Sequence, residues 1–104
     1  MNMMKMMKQA ASMQKNMAKV QEELAAQELD FQSGGGAVGV TISGDGNIRR
    51  IRIDPAAVEG GDAEMLEDLV LAAVQGAQEL AKDTAGEQMK KVTAGMGLPP
   101  GMGF

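Results

Sequence analysis

Seven apolar residues, Met3, Met6, Ala10, Met13, Met17, Val20 and Leu24, recur at alternating spacings of three and four. That is the heptad rhythm of a helix laying a narrow seam against another helix. At about 100° per residue the seven fall within roughly a quarter-turn. No Gly or Pro interrupts residues 2 to 27, and good helix formers dominate them, so a helix is predicted there. A second stripe (Met4, Met7, Ala11, Ala18) widens the apolar face near the start.

The pattern then changes period. Residues 28 to 33 alternate polar and apolar, which predicts a short strand with Leu29 and Phe31 inward. Gly34, Gly35 and Gly36 break the chain, and residues 37 to 43 and 47 to 54 read as two further strands. Asp45-Gly46 between them is a hairpin signal, with both central positions wanting positive φ. That loop sets Val38 opposite Ile53, Val40 opposite Ile51, Ile42 opposite Arg49, Thr41 opposite Arg50 and Gly39 opposite Arg52. One sheet face is then apolar and the other carries Arg50 and Arg52. Asp54-Pro55 ends the last strand, and residues 55 to 58 read as a helical turn. Asp62 is placed to cap a long helix running to about Thr93, with a stripe of Val70, Ala73, Ala77, Leu80 and Thr84 and with Leu66 and Leu69 at its start. Gly76 and Gly86 are expected to weaken it, while Lys90 and Lys91 suit its C-terminal end.

The predicted order is α-β-β-β-α, an α+β fold with a three-stranded antiparallel sheet in one domain over residues 1–94. Residues 95–104 read as an irregular Gly/Pro-rich tail. A helix of about 25 residues reaches nearly 40 Å, whereas strands of six or seven residues span about 20 Å. Both helices must therefore project past the sheet, and their seams must pack on each other or on a second copy. Dimerisation is the economical answer for so short a chain.

Composition removes most chemistry. With no Cys and no His there are no disulfides, no soft-metal site of those residues, no thiol nucleophile and no imidazole base. Ser12, Ser33 and Ser43 have no His to activate them. Gly34 to Gly39 fits G-x-G-x-x-G, but a strand follows it where a phosphate site needs a helix, so it reads as a turn. Asp45, Asn47 and Asp54 lack the spacing of a calcium loop. Glu64, Glu67 and Asp68 are explained by a helix start. The chain reads as non-enzymatic, with no cofactor, no metal and no small-molecule substrate. No apolar run is long enough to span a membrane, and no secretory signal is visible. The absence of Cys is compatible with a cytoplasmic location.

Charge is unevenly placed. The net charge is −4, yet residues 1 to 21 hold Lys5, Lys8, Lys15 and Lys19 and no acid, while all fourteen acidic residues lie beyond. On a helical wheel the four lysines lie within roughly 80° of one another, centred about 155° from the heptad seam. A solvated face usually interleaves acids, and here none appears before Glu22. The ridge is therefore a candidate for phosphate contact, with Arg50 and Arg52 as candidate assistants. With no aromatic residue among them, binding would follow the backbone, respond to salt and be weakly sequence-specific. The Met-rich helices also fit a second reading, a dimeric protein-interaction adaptor or chaperone-like clamp.

These residues resemble the YbaB/EbfC family of bacterial nucleoid-associated proteins. The resemblance is carried by Met6-Met7-Lys8-Gln9-Ala10, Met13-Gln14-Lys15 and Val20-Gln21-Glu22-Glu23-Leu24 in the first helix. It continues through Gly34 to Val38, Val40 to Gly46, Ile51 to Pro55, Glu64 to Leu69 and Val92 to Gly101. It implies a tweezer-like homodimer with projecting helices that binds duplex DNA with low or broad sequence preference, organises the nucleoid and affects gene expression. It implies a cytoplasmic, nucleoid location and no enzyme activity. It gives no residue-level DNA site. One position departs from the pattern: Gly39 stands where many relatives carry a longer, often basic residue.

Overall fold

A computed structural model describes residues 2–95. Helix α1 spans Met3–Ala26, followed by strands β1 (Glu28–Ser33), β2 (Val38–Ser43) and β3 (Ile48–Ile53), a short helix α2 (Pro55–Glu59) and the long helix α3 (Ala63–Gly95). A single 3₁₀ turn over Gly34–Gly36 joins β1 to β2. The sheet is antiparallel throughout, in the order β1-β2-β3. This is the expected α+β fold. Its principal dimensions are 69 × 24 × 16 Å, so helix does project well past the sheet. Of the expected tail, Gly95 closes α3, and residues 96–104 lie outside the described residues.

The core is one layer thick. Val38, Val40 and Ile42 of β2 are buried against Ala73, Ala77 and Ala81 of α3. Leu29, Leu66, Leu69, Val70 and Val74 close its edges. Alanine at i, i+4 and i+8 lets the helix backbone approach the sheet closely, which a row of Leu would prevent. Gly76 extends that approach: a Cβ there would run into the Phe31 ring on β1. The glycine that reads from sequence as a weak point is thus what admits the aromatic side chain. Ser33 also ties β1 to α3, its hydroxyl donating to the Leu69 carbonyl at 2.6 Å.

The hairpin departs from its sequence reading in one place. Val38↔Ile53, Gly39↔Arg52, Val40↔Ile51 and Thr41↔Arg50 pair as expected, but Ile42 sits opposite Ile48, not Arg49, because a β-bulge falls between Thr41 and Ile42. Only Gly46 of the loop takes positive φ, at 95°, whereas Asp45 does not. The loop is longer than two residues, and the Ser43 N–H donates to Asn47 O at 2.8 Å. A loop with one left-handed residue followed by a bulge is the usual alternative to the tight two-residue turn. The Ser43 hydroxyl donates to the Asp45 carboxylate and accepts from Asn47 N–H, which fixes the loop.

Candidate nucleic-acid interface

Helix α1 is held at its base and bare at its tip. Asn2 caps its start, the side-chain oxygen accepting from Met4 N–H at 3.0 Å. Its C-terminal end is clamped three ways. Gly44 N–H donates to Gln27 O at 3.1 Å. Leu24 is pressed so close to Gly44 that a Cβ there would lie 2.9 Å from the Leu24 carbonyl oxygen. Arg49 Nη2 donates to Ala25 O at 3.0 Å, placing a cation on the unsatisfied carbonyl end of the helix. The bulge is what makes room for this: it takes Arg49 out of the pairing expected with Ile42.

The heptad seam divides along the same line. Val20 and Leu24 are buried, Met13 and Met17 are half-buried, and Met3, Met6 and Ala10 are exposed. The seam therefore packs within the chain at the base of the arm. Lys5, Lys8, Lys15 and Lys19 are all exposed. Among the described residues none of them forms a salt bridge. From Lys5 to Lys19 the ridge runs about 21 Å, roughly six base-pair rises of a duplex.

One cation that the sequence reading misses joins this surface. Between α1 and α3 lies a groove of about 290 Å³, lined by Asn16, Lys19, Val20, Glu23, Gln88, Lys91 and Val92. Lys91 thus shares a groove with Lys19, although the chain separates them by most of its length. The sequence assigns Lys91 to the end of α3, but the helix runs further, to Gly95. Only the pairing of the two helices brings it to the arm, and no local spacing signals that.

The three arginines do different things. Arg49 caps α1. Arg50 is exposed on the sheet face away from α3. Arg52 folds back across β2, its Nη1 donating to Thr41 Oγ1 at 2.8 Å and its Nη2 lying 3.3 Å from Asp30 Oδ1. Gly39 allows that path, since a Cβ there would sit 2.9 Å from Arg52 Nη2. The Thr41 hydroxyl donates to the same carboxylate oxygen and, ahead of Arg52 and Arg50, holds the Asp30 carboxyl below its usual range. Arg52 is thereby partly engaged in neutralising Asp30 by direct contact, whereas Arg50 acts on it only through its charge.

Among the described residues no cluster of three or more His, Cys, Asp or Glu could hold a metal, and no helix is long and apolar enough to cross a membrane. The family model described as the YbaB/EbfC DNA-binding family matches residues 1–96. The chain belongs to the YbaB/EbfC DNA-binding family. A curated protein of Akkermansia muciniphila named as a nucleoid-associated protein is 45% identical to it over 104 residues, the full length of both. The crystal structure of an uncharacterized Helicobacter pylori protein superposes with a TM-score of 0.78 at 20% identity, covering 88% of this chain and 96% of that one. That likeness concerns the fold of this YbaB/EbfC member and not its chemistry.

Proposed function

We propose that this chain binds duplex DNA at the bacterial nucleoid, as a homodimer, gripping phosphates with low or broad sequence preference. The observation that carries the reading is the acid-free ridge of Lys5, Lys8, Lys15 and Lys19, exposed along a helix that packs on an acidic body only through its C-terminal half. Lys91, beside Lys19, and Arg50 are placed to assist, and Arg52 to a lesser degree. With no aromatic side chain on the arm, discrimination between bases has no platform, and affinity comes from counterion release. The full-length similarity to a nucleoid-associated relative supports the same reading.

The dimer is supported by an uncovered apolar face. Helix α3 lies over β1 and β2 and leaves β3 open, so Ile48, Ile51 and Ile53 remain 42%, 46% and 41% exposed on the core side of the sheet. Beside Ile53, α3 contributes Leu66, Val70, Leu71 and Val74 to a groove of about 510 Å³. Contiguous apolar surface of this kind marks an interface. A second copy presenting the same face would cover it by two-fold symmetry and leave both arms free.

A salt titration of binding to a duplex of arbitrary sequence tests the reading. Affinity should fall steeply with salt, with each phosphate contact contributing about 0.9 to the log–log slope. Replacing Lys5, Lys8, Lys15 and Lys19 by Glu should weaken binding equally on unrelated sequences and flatten the slope. Absence of binding by the unaltered protein at low salt would refute it and favour the protein-partner reading.

A further inference from the structure

We infer that Met3, Met4, Met6 and Met7 form an oxidative modification site, converted by peroxides to methionine sulfoxide, and that this conversion loosens the arm's hold on DNA. The second half rests on the DNA reading above; the first does not.

The four residues are 76%, 68%, 52% and 68% exposed, within five consecutive positions. The chain has eleven methionines and no cysteine, so thioethers are the only sulfur that a two-electron oxidant meets. Among the other described methionines, Met13, Met17 and Met89 are half-buried, and Met65, 50% exposed, lies near the start of α3 far along the chain from the cluster. A core role does not account for the four, because residues 2–12 are exposed throughout. The face proposed for dimerisation lies on β3 and α3 and does not include them.

The chemistry is closed by the peroxide itself. A sulfur lone pair attacks one peroxide oxygen, the S–O bond forms and the O–O bond breaks. The departing hydroxide takes the proton of the transferred oxygen and leaves as water. Sulfur loses two electrons and hydrogen peroxide gains them. The product is a polar, chiral side chain with a strong acceptor oxygen, reducible by sulfoxide reductases.

Its effect follows from where the residues sit. The first turns of α1 have no packing to hold them, so their helicity depends on propensity and on the Asn2 cap, and short unpacked helix is marginal. Sulfoxide replaces a good helix former there with a polar group. At position 4 the new oxygen lies one turn from Lys8, within reach of its ammonium and in competition with phosphate. Lys5 and Lys8, half of the ridge, ride on the segment that changes.

The test is to treat the full chain with hydrogen peroxide, map oxygen uptake by peptide mass spectrometry and repeat the salt titration. Oxygen should appear first at residues 3, 4, 6 and 7, ahead of Met65. The slope should then fall by about 1.8 per protomer, the share of two phosphate contacts. Sulfoxide reductase should restore it. The variant Met3→Leu, Met4→Leu, Met6→Leu and Met7→Leu should keep its own slope through the same treatment. First oxidation elsewhere would overturn the site. Oxidation at the four residues with an unchanged slope would overturn the effect alone, whereas failure of untreated protein to bind would overturn the effect together with the DNA reading.

Discussion

Two glycines on the same helix make opposite predictions. A methyl group added at Gly86 would meet nothing within 4 Å, so Gly86→Ala should stabilise the protein by about 0.5–1 kcal/mol through helix propensity. Gly76 faces the Phe31 ring, so Gly76→Ala should destabilise it by about 1–3 kcal/mol despite the same propensity gain. Denaturant unfolding of both variants at one protein concentration reads the difference in sign. Asp30 supplies a second residue-level expectation. Its carboxyl is held below the usual range in the fold, so the stability it contributes is present above its unfolded pKa and lost as pH falls through the lowered one. Asp30→Asn should therefore lower stability at neutral and alkaline pH, leave it unchanged below the lowered pKa, and so flatten the acid limb of a pH–stability profile.

At the scale of elements, Arg49 links the hairpin to the arm. Arg49→Ala removes the cation from the Ala25 carbonyl. The effect on global stability should stay below about 1 kcal/mol, as for an exposed helix-terminal charge. Amide exchange over residues 23 to 27 should quicken, and DNA affinity should drop without any change in sequence preference. None of this is legible in the hairpin signal. The strands, their order and four of five pairings follow from alternation and from Gly-Asp-Gly, because register is a local property. The bulge depends on which residue the loop can release, and that depends on α1 arriving beside Gly44. The lysine ridge is legible, since charge periodicity on one helix needs no partner. Lys91 is not, because its place is set by helix–helix packing across the whole chain.

At the scale of the molecule, the apolar face of β3 and the lysine arms lie on separate surfaces. Ile51→Asp combined with Leu71→Asp should give a soluble monomer by sedimentation, with the arm helix retained. Each monomer should then bind DNA with about half the salt slope of the unaltered protein, since in the proposed dimer two linked arms would engage one duplex with high effective concentration and one arm would not. The packing of α1 has a mechanical consequence. Leu24 and Val20 are buried and Met17 and Met13 half-buried, so only Met3–Ser12, about 15 Å of helix, overhangs its support. A bend of about ten degrees where the overhang begins displaces the tip by about 3 Å, close to one base-pair rise of a duplex. In the proposed dimer the span between two such overhangs would be governed by the stiffness of these few exposed turns, and one protein would fit duplexes of slightly differing width without reshaping its body.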